Sequence, residues 1–480
     1  MRSSAVESDS ILQWRRFSID DQMAFSLLSG DFNPLHIDEV FARRSVAGGI
    51  VVHGIHLLMW ALDCWCATFI RRCKLISLDV HFLKPVRVGD LVRLSGTTEL
   101  DSADFTLHVD ELLVATIKGC IREGSDMGAV SAGHPARRQP TNLDEVAIAA
   151  SEGRLDLMLD ISLASALAPS FVCFLPLHQL AYILAGTRLV GMECPGLHSL
   201  LSELHFNEVK ETVTEAGGFN YKVKRFDRRF SMVILQISSA GLEGTSKAFL
   251  RPKIQCQPSC DQLLSLYKNF FSGRPFTGQR ALVIGGSRGL GEVFAKVLAM
   301  GGAEVLLTYC KGEQDAAAVI HDIRVNEGVA SSAQYDVTAR EFQQLATFAP
   351  THLYYMATPF IGSGQRGKFN SDAFLRFSLY YVSGFAATFE IVRHKSLLKI
   401  YYPSSVFLDE MPADMPEYIA AKSAGETLCA MLARAYPGLN FFYPRLPRIA
   451  TDQSASLLPR LNQLVLPLVM EQLEQFLEEV

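Results

Sequence analysis

An aspartate and a histidine five residues apart form a candidate pair for acid–base catalysis near the start of this sequence. Asp31 and His36 lie on either side of an Asn33-Pro34 pair. Because proline cannot continue a helix, a turn here can bring both side chains to one pocket. A carboxylate and an imidazole held together can perform general acid–base catalysis, such as the addition or removal of water beside an activated carbonyl group.

A second set of candidates lies in the C-terminal part of the chain. The apolar run Ala281–Ile284 leads into a glycine turn, Gly285–Gly291, and Tyr418 and Lys422 follow further on. Glycines allow a backbone to approach a pyrophosphate closely at the N-terminus of a helix. The usual pKa of a phenol is about 10. The positive charge of a lysine one helical turn away is needed to lower the pKa of the tyrosine for acid catalysis.

The run around Asp31 closely resembles the signature of MaoC-like (R)-specific enoyl-CoA hydratases. In that family S-G-D-x-N-P-x-H is followed by a Gly-Gly pair and by a His-Gly at the start of a central helix. Here these later parts are Gly48-Gly49 and His53-Gly54. The resemblance implies a hot-dog fold, with Asp31 and His36 as the catalytic dyad and the backbone N–H of Gly54 on the thioester carbonyl oxygen.

A structural turn is the alternative interpretation of the same run. Asp31 and Asn33 could cap a helix, and His36 could be a hydrogen-bonded core residue. A turn of this kind has no use for the later Gly-Gly and His-Gly. The whole pattern therefore favours the catalytic interpretation.

Residues 151–255 look like a second copy of the first segment. Gly54-Ile-His56 and the strand-like runs after it have an echo in Gly196-Leu-His198 and the alternating runs that follow. A duplicated unit of one helix and an antiparallel sheet is the economical prediction. The second copy would then complete a double hot-dog and supply apolar wall for an acyl chain.

The second copy lacks the dyad. An alignment that sets Gly186 against the glycine before Asp31 puts Thr187 in the place of that aspartate. The same alignment puts Met192 in the place of His36, and neither side chain can act as a base near neutral pH. We expect the second copy to be non-catalytic and expect alanine at either position to change the reaction little.

The glycine turn resembles that of the short-chain dehydrogenase/reductase family, T-G-x-x-x-G-x-G, and Tyr418-Ile-Ala-Ala-Lys422 lies at the family's usual distance from it. The resemblance implies that Tyr418 protonates a carbonyl oxygen as hydride arrives, while Lys422 holds the cofactor ribose and lowers the pKa of the tyrosine. It also implies that Ser405, thirteen residues before Tyr418, hydrogen-bonds the substrate carbonyl, with Ser404 as the fallback.

The cofactor implied is NADPH. Members of the family that prefer NAD have an acidic residue after the second strand, whereas this chain has Lys311 there and Arg288 in the glycine turn. Two cations suit the 2′-phosphate of NADPH. Asp336 matches the family residue that contacts the adenine. The predicted cofactor-binding residues are Gly285, Ser287, Arg288, Gly289, Gly291, Lys311, Asp336 and Lys422.

Four departures mark this segment as a divergent member of the family. Ile284 replaces the glycine-turn threonine, Tyr355-Met-Ala-Thr358 replaces Asn-Asn-Ala-Gly, and Tyr381 replaces the helix asparagine of a proton relay. Pro444-Arg445 replaces the usual Pro-Gly, and only about 30 residues remain after it for a substrate lid. Because the Ser-Tyr-Lys set is kept, we expect a working reductase.

The elements that must position these residues form several domains. The predicted fold class is multidomain, α+β and α/β, with an N-terminal double hot-dog followed by a Rossmann-type doubly wound parallel sheet. The predicted boundaries are 1–125 for the catalytic hot-dog, 126–150 for a linker, 151–255 for the degenerate repeat, 256–278 for a second linker, and 279–480 for the reductase.

Composition narrows the function classes. A chain of 480 residues with a net charge of −5 has no basic footprint for nucleic acid. Its ten cysteines show neither a disulfide framework nor a zinc pattern, so no metal is expected. The N-terminus has no apolar core for a signal peptide, and His53, His56 and Asp63 interrupt the most apolar stretch, Gly48–Ile70. We predict a cytoplasmic protein with a buried helix in that stretch.

The two chemistries are consecutive. Reduction of a 3-oxoacyl thioester gives the 3-hydroxyacyl thioester that an (R)-specific dehydratase converts to the trans-2-enoyl product. We therefore expect a bifunctional ketoreductase/dehydratase of fatty-acid or polyketide-type synthesis, acting on acyl carrier protein or coenzyme A thioesters and forming homo-oligomers through the reductase. Two alternatives stay open: a hydratase with an NAD-dependent 3-hydroxyacyl dehydrogenase of acyl breakdown, and a hydratase whose reductase-like half is a non-catalytic nucleotide-binding scaffold.

Overall fold

The computed structural model forms two compact units, one that ends at Lys253 and one that begins at Ile254. The residues that the structure describes are 9–124, 130–209, 217–254, 256–339, 345, 347–362, 364, 366–394, 396–449 and 465–478. The N-terminal residues 1–8, the first part of the predicted linker at 126–129 and most of the predicted lid segment, 450–464, lie outside them.

The first unit is built from strands and helices in two successive sets. The first set is β1 (Asp9–Arg16), α1 (Ile19–Ser29), α2 (Pro34–Ile37), α3 (Glu39–Ala42), α4 (Gly54–Cys66), β2 (Cys73–Phe82), β3 (Leu91–Thr98), β4 (Ser102–Val109) and β5 (Leu112–Glu123). The second set is β6 (Ser131–Ala132), α5 (Glu145–Ala149), β7 (Glu152–Asp156), β8 (Met158–Leu159), α6 (Ile161–Leu167), α7 (Pro169–Phe174), α8 (Leu177–Arg188), a π-helical turn (Leu189–Glu193), β9 (Ser199–Glu208), β10 (Gly218–Asp227), β11 (Met232–Ser239) and β12 (Leu242–Leu250).

The large strands of both sets form one antiparallel sheet in the order β1-β3-β4-β5-β2-β9-β12-β11-β10-β7. The second half mirrors the first: β7, β10, β11, β12 and β9 take the places of β1, β3, β4, β5 and β2. The halves join where β2 pairs with β9, with Leu78 opposite Phe206 and Val80 opposite Leu204. Because inward residues alternate along each strand, this pairing makes a single apolar core continuous through both halves.

Each half contains one long, almost completely buried helix, α4 in the first and α8 in the second. A helix that is apolar on nearly all sides belongs inside a protein. The prediction of a buried helix in Gly48–Ile70 is therefore confirmed by α4. Among the described helices, none combines the length and the apolar composition that crossing a membrane requires.

The alignment that we used to compare the two halves is wrong in one respect. Gly196-Leu-His198 was set against the start of the central helix, but it lies in the turn before β9, and the central helix of the second half begins at Leu177. Thr187 therefore lies near the end of a central helix rather than in a turn like that of Asp31. The three-residue similarity between Gly54-Ile-His56 and Gly196-Leu-His198 does not reflect the order of helices and strands in the two halves. The segment that does precede α8, residues 161–176, has no acidic residue or histidine.

The predicted linker 126–150 is packed against residues of both halves over the part that the structure describes. The Pro135 ring lies where a Cβ on Gly30 would be, at 2.6 Å. Thr141 N donates to Met192 O at 2.9 Å, and Leu197 N donates to Thr141 O at 2.8 Å. Composition identified a break in regular structure, but it could not reveal these backbone contacts.

The second unit contains a parallel sheet with helices between its strands. Its elements are α9 (Cys260–Phe270), β13 (Arg280–Ile284), α10 (Gly289–Met300), β14 (Glu304–Tyr309), α11 (Glu313–Val325), β15 (Val329–Gln334), β16 (His352–Tyr355), α12 (Ser371–Ser378), a π-helical turn (Leu379–Gly384), α13 (Phe385–Val392), β17 (Lys399–Tyr401), β18 (Ser404–Ser405), α14 (Phe407–Glu410), α15 (Pro416–Ala435), β19 (Asn440–Phe442), β20 (Arg445–Leu446) and α16 (Val465–Glu478).

Six of these strands pair in the order β15-β14-β13-β16-β17-β19, all parallel. This is the order of a doubly wound nucleotide-binding sheet, in which the direction of winding reverses next to the first strand. The glycine turn follows that first strand, β13. Ligands of such sheets bind at the carboxyl ends of the strands at this switch point.

The predicted linker 256–278 contains part of the core of the second unit. Helix α9 buries Cys260, Leu263 and Tyr267 in the same apolar cluster as α10 and α16. Lys296 of α10 reinforces the contact by donating to Pro258 O at 2.9 Å. The apolar helical period that the sequence shows near Leu263 was a signal for a packed helix, and the neighbouring Gly and Pro residues obscured it.

Candidate functional site

The turn that carries Asp31 is bounded by two helix caps. Gly30 ends α1 in the left-handed conformation (φ 77°), and its N–H donates to Ser26 O. Asn33 begins α2, where its side chain accepts from Leu35 N at 3.1 Å and Pro34 takes the first helical position. Asp31 therefore lies in a short turn between two helices. Gly30 ends the helix before it, and Asn33 begins the helix after it.

The Asp31 carboxylate is buried, with 1% of the residue exposed. Its Oδ1 accepts from Asn33 N at 3.2 Å, and its Oδ2 accepts from Thr187 Oγ1 at 2.7 Å. Burial raises the pKa of Asp31 to about 6, although both hydrogen bonds act in the opposite direction. The carboxylate is consequently ionised at neutral pH but close to a pH at which it can hold a proton.

His36 points its two ring nitrogens to different surroundings. Nδ1 lies 2.7 Å from Val51 O, and because a carbonyl oxygen only accepts, Nδ1 carries the proton and Nε2 keeps a lone pair. Burial lowers the pKa of His36 to about 4; the Val51 hydrogen bond opposes this shift, and the charge of Arg251 adds to it. His36 is therefore neutral at neutral pH, with Nε2 available as a base or acceptor.

His53 joins the dyad to the start of α4. Its ring stacks on that of His36 with centroids 3.7 Å apart, and its Nε2 lies 4.0 Å from Asp31 Oδ2. Gln22 Oε1 accepts from the backbone N–H of His53 at 3.0 Å and contacts Nδ1 at 2.9 Å, which fixes the ring. From the sequence His53 was only a motif position; its direct contact with the dyad was missed.

Gly54 is the first residue of α4 and follows His53 directly. The N-cap makes no side-chain hydrogen bond to the first turn of the helix, and Gly54 is partly exposed whereas Ile55 is fully buried. A Cβ on Gly54 would lie 3.1 Å from the Phe82 ring, so a larger residue would crowd this point. The helix N-terminus thus presents backbone N–H groups beside the dyad, as an oxyanion site requires.

The three groups Asp31, His36 and His53 have donor atoms within 4.8 Å of one another, close enough to raise the question of a metal ion. The two imidazoles are stacked at an angle of 23°. Nearly parallel rings direct their in-plane lone pairs side by side rather than toward one point, so they are poorly arranged to share an ion. The arrangement suits proton transfer better than metal binding.

The second half of the sheet also contributes to this site, which sequence reasoning did not predict. Asn33 Nδ2 donates to Gly191 O at 3.0 Å and to Gly196 O at 3.2 Å, and Phe32 N contacts Met192 Sδ at 3.2 Å. In the sequence the string Leu189–Gly196 could be either a binding turn or a structural turn. Its glycines and its proline were the available signal, but they could not show which motif the turn packs against.

The second site begins with the glycine turn after β13. Gly285 and Gly289 have φ values of 78° and 59°, and a Cβ on Gly291 would lie 2.3 Å from Gly285 O. Only glycine fits these positions. Ser287 is buried in the turn, and Arg288 caps α10 without a side-chain hydrogen bond to its first turn. The close approach and the open helix N-terminus fit a dinucleotide pyrophosphate.

Lys311 and Asp336 follow β14 and β15 at the same edge of the sheet as the glycine turn, because the three strands are parallel neighbours. Lys311 is exposed. Partial burial raises the pKa of Asp336, but hydrogen bonds from Thr338 and the charge of Lys311 outweigh this and leave it below its usual value. The structure therefore brings the predicted cofactor residues of this edge together.

Ser405 and Tyr418 are in contact in the second site. Ser405 ends the short strand β18, and its hydroxyl hydrogen-bonds Tyr418 near the start of α15. Ser404, the fallback, instead donates to Glu426 Oε1 at 2.5 Å. The structure thus distinguishes the two serines, which adjacency in the sequence could not do.

The expectation that Lys422 lowers the pKa of Tyr418 is wrong for this structure. Burial raises the pKa of Tyr418 to about 12, and the hydrogen bond from Ser405 only partly opposes it. Lys422 Nζ donates to Pro403 O at 2.6 Å and lies 4.0 Å from the centroid of the Tyr381 ring. Burial also lowers the pKa of Lys422 to about 7, so the ammonium is only partly charged at neutral pH.

Tyr381 and Tyr355 occupy positions that differ from the family pattern. Tyr381 is buried, its hydroxyl lies 2.5 Å from Thr358 Oγ1, and its ring meets that of Tyr418 edge to face at 5.7 Å. The Tyr355 hydroxyl donates to Tyr380 O at 2.6 Å. Both phenols are thus engaged, and burial keeps the pKa of each well above its usual value.

Comparisons with known proteins match the segment of the first site and the glycine turn of the second. The family model described as MaoC like domain matches residues 4–113, and that described as short chain dehydrogenase matches residues 279–356. A 3-hydroxybutyryl-CoA dehydratase of Methylorubrum extorquens is 31% identical over 87 residues, which are 17% of this chain and 52% of that protein. The chain thus spans about half the length of this curated relative.

Solved structures similar to this chain include three dehydrogenases. A short-chain dehydrogenase of Burkholderia cenocepacia in complex with NADP is 21% identical, with 42% of this chain and 91% of that chain covered and a TM-score of 0.36. An alcohol dehydrogenase of Thermococcus sibiricus complexed with 5-hydroxy-NADP is 16% identical, covering 42% and 91%, with a TM-score of 0.38. A dehydrogenase/reductase of Sinorhizobium meliloti is 19% identical, covering 45% and 92%, with a TM-score of 0.37.

Proposed function

We propose that this chain, which carries a MaoC-like dehydratase domain and a short-chain dehydrogenase domain on one polypeptide, is a bifunctional enzyme of acyl thioesters. Its reductase reduces a 3-oxoacyl thioester to the (R)-3-hydroxyacyl thioester. Its dehydratase removes water from that product to give the trans-2-enoyl thioester. The observation that carries the proposal is the convergence of Asp31, His36 and the N-terminus of α4 in one buried site.

The protonation states of the dyad determine how water can leave. At neutral pH Asp31 is ionised, and the only ring proton of His36 is given to Val51 O. Neither group therefore arrives with a proton for the departing hydroxyl. The α-proton itself must supply it: Asp31 removes this proton from Cα and then transfers it to the hydroxyl, which leaves as water while the Cα–Cβ double bond forms.

The other groups of the site support this proton transfer. Nε2 of His36 accepts a hydrogen bond from the β-hydroxyl and holds it near Asp31. The backbone N–H of Gly54 at the start of α4 stabilises the negative charge that develops on the thioester oxygen when the α-proton is removed. These roles agree with the protonation states described above: Asp31 is ionised and acts as the base, and His36 is neutral and acts as the acceptor.

The ten-stranded sheet fits a double hot-dog in which one chain supplies both halves. The reversed strand order and the two central helices α4 and α8 support this arrangement. Only the first half has a dyad, because no acid or histidine lies in the segment before α8. The second half provides a packed partner for the first, as an identical subunit would in a dimer.

In the reductase site Tyr418 gives its phenol proton to the substrate carbonyl oxygen as that oxygen becomes an alkoxide. A pKa of about 12 keeps the phenol protonated at neutral pH, so Tyr418 carries the proton that reduction needs, although it is a weaker acid than a tyrosine whose pKa is lowered. Ser405 hydrogen-bonds Tyr418 and holds the carbonyl oxygen against it. This protonation state favours reduction over the oxidation that acyl breakdown would need.

The cofactor proposed is NADPH, which supplies the hydride when bound. The glycine turn would hold its pyrophosphate, and Lys422 its nicotinamide ribose. Arg288 and Lys311 would face the 2′-phosphate, and the residues directly after β14, Cys310 and Lys311, include no acid of the kind that favours NAD. The 3-hydroxyacyl thioester formed there is the substrate of the dehydratase, and one polypeptide raises the local concentration of this shared intermediate. Either coenzyme A or an acyl carrier protein would present it.

Two assays test the proposal. Purified protein given 3-hydroxybutyryl-CoA should form the enoyl thioester, measured by its ultraviolet absorbance, and Asp31→Asn should not. The same protein given NADPH and acetoacetyl-CoA should consume NADPH. Failure of the folded wild-type protein to dehydrate 3-hydroxyacyl thioesters of several chain lengths, on coenzyme A and on acyl carrier protein, would contradict the proposed dehydratase.

A specific observation favours a second candidate, in which the reductase-like half binds a nucleotide without reducing a substrate. Lys422 is engaged by Pro403 O and by the Tyr381 ring, and it does not lower the pKa of Tyr418. Titration with NADPH distinguishes the candidates. Binding, seen as a change in NADPH fluorescence, without loss of its absorbance when 3-oxoacyl thioester is added would support the scaffold.

A further inference from the structure

The carboxylate of Asp31 is held from two directions, one of which is the second half of the sheet. Thr187 Oγ1 donates to Asp31 Oδ2 at 2.7 Å, and 4% of Thr187 and 1% of Asp31 are exposed. Thr187 lies in the last turn of α8, immediately before the π-helical turn. The half of the sheet that has no dyad therefore reaches the dyad of the other half, and this contact reverses our expectation from the sequence that alanine at Thr187 would change the reaction little.

Gly191 makes this approach possible. A Cβ on Gly191 would lie 2.2 Å from Asp31 Oδ1 and 2.5 Å from Oδ2, so only glycine lets the π-helical turn come so close. Asn33 Nδ2 holds the turn there by donating to Gly191 O at 3.0 Å. Met192 Sδ accepts from Phe32 N on the other side. The contact is thus fixed on both flanks of Asp31.

We propose that Thr187 is a positioning residue of the dehydratase, which fixes the orientation of the ionised Asp31 carboxylate toward the substrate. The inference rests on the proposed function, because it gives Asp31 the role of the base. Asn33 N occupies Oδ1 and Thr187 occupies Oδ2, so the carboxylate cannot rotate without losing a hydrogen bond. A catalytic group displaced by about 1 Å loses on the order of a hundredfold in rate.

A hydroxyl that donates to a carboxylate also stabilises its ionised form. The other titratable or charged groups around Asp31 are His36 and His53, which are neutral at neutral pH, and Arg188, whose Cδ would be 2.9 Å from a Cβ on Gly30. Removing the Thr187 hydroxyl should therefore raise the pKa of Asp31 above about 6. A residue that only fills space would not have this effect.

The test compares Thr187→Val with Thr187→Ser. Valine keeps the shape of threonine without the hydroxyl, so we expect kcat for dehydration to fall about tenfold to a hundredfold with little change in KM. The acid limb of the kcat/KM profile should also move to higher pH. Serine keeps the donor and should restore both the rate and the profile. Equal rates and pH profiles for the valine variant and wild type would overturn the proposal.

Two glycines on the same segment provide a matched control. Gly191→Ala should abolish dehydration, because its methyl group would overlap Asp31. Gly186→Ala, whose methyl group would meet Leu204 at an ordinary 3.5 Å, should keep the wild-type rate. Thermal unfolding of all four variants reports whether each one folds. An active Gly191→Ala variant would also overturn the proposal, because Asp31 would then tolerate displacement.

Asp31→Asn separates failure of this inference from failure of the proposed function. If that variant dehydrates normally, Asp31 is not the base and the proposed function of this site is wrong. If it is inactive while Thr187→Val behaves like wild type, the proposed function stands and only the positioning role of Thr187 is wrong.

Discussion

The two candidate sites both consist of a few polar side chains in apolar surroundings, and burial shifts their pKa values in the same directions but with different chemical consequences. In the first site burial raises the pKa of Asp31 to about 6 and lowers that of His36 to about 4, and both groups remain in reactive forms at neutral pH. In the second site burial raises the pKa of Tyr418 to about 12 and lowers that of Lys422 to about 7. The charge expected to activate the tyrosine is weakened.

The neighbours of each site explain this difference. In the first site backbone groups and the Thr187 hydroxyl bind the dyad, so burial is offset by hydrogen bonds. In the second site the aromatic rings of Tyr381 and Tyr402 lie 4.0 Å and 5.1 Å from Lys422 Nζ. Lys422 Nζ also donates to Pro403 O at 2.6 Å, but this hydrogen bond and the attraction of the rings do not offset its burial. A residue that matches a family motif thus does not necessarily have the electrostatic role that the motif implies.

The largest effect should come from breaking the first site. Asp31→Asn and His36→Ala are each expected to lower the dehydration rate by about two to four orders of magnitude, because each removes a group that moves or holds the proton. NADPH consumption should stay within about twofold of wild type, since the two sites share no residues. Loss of both activities in a folded variant would contradict separate sites.

The second site should respond differently to two substitutions. Tyr418→Phe keeps the ring but removes the proton donor, so hydride transfer should slow by about two to four orders of magnitude while NADPH still binds. Lys422→Ala should weaken NADPH binding as well as the rate. Tyr436→Phe, at the end of the same helix, is the control and should be neutral. A Tyr418→Phe variant as fast as wild type would exclude this tyrosine as the acid.

A pH profile separates the sites without mutation. Because Asp31 must be ionised and its pKa is about 6, kcat/KM for dehydration should fall about tenfold per pH unit below that value. His36 should add no further limb above its pKa of about 4. Reduction should not follow the titration of Asp31: Tyr418 is protonated throughout, and the change in this profile should lie near pH 7, where Lys422 titrates. A dehydration profile that is flat down to pH 5 would rule out Asp31 as the base.

The smallest effect should come from Tyr381→Phe. Its hydroxyl contacts Thr358 and its ring contacts Lys422, so removing the hydroxyl alone should change NADPH consumption by less than about threefold. The measurement is the steady-state rate with 3-oxoacyl thioester. A drop of a hundredfold or more would make Tyr381, not Tyr418, the proton donor and would reverse our interpretation of the second site.

Much of the architecture could be predicted from periodicity and motif spacing. The strand-like runs after Gly54 and Gly196 are the strands of the ten-stranded sheet, and the glycine turn does follow the first strand of the parallel sheet. These features are local, because side-chain period and turn chemistry are encoded over a few residues. Packing of residues 130–150, the described part of the predicted linker, depends on distant partners and has no local signal in the sequence.

The candidate site was only partly predictable for the same reason. Asp31 and His36 could be found because they lie in one short motif. Thr187 lies 156 residues away from Asp31 in the sequence. Its hydroxyl reaches Asp31 only because α8 ends beside the dyad in the folded chain. Likewise the contact of Lys422 with the Tyr381 ring depends on the fold of a π-helical turn, which no pattern in the sequence predicted. Long-range contacts decide the electrostatics of both sites.

The central claim, that one chain performs two consecutive reactions, is tested most directly by product analysis with a single starting substrate. Wild-type protein is incubated with NADPH and a 3-oxoacyl thioester, and the acyl products are identified by mass spectrometry. We predict NADPH consumption with formation of the trans-2-enoyl thioester, and accumulation of the 3-hydroxyacyl thioester when Asp31→Asn replaces the wild type. Recovery of unreacted 3-oxoacyl thioester from protein that binds NADPH and dehydrates added 3-hydroxyacyl thioester would contradict the claim.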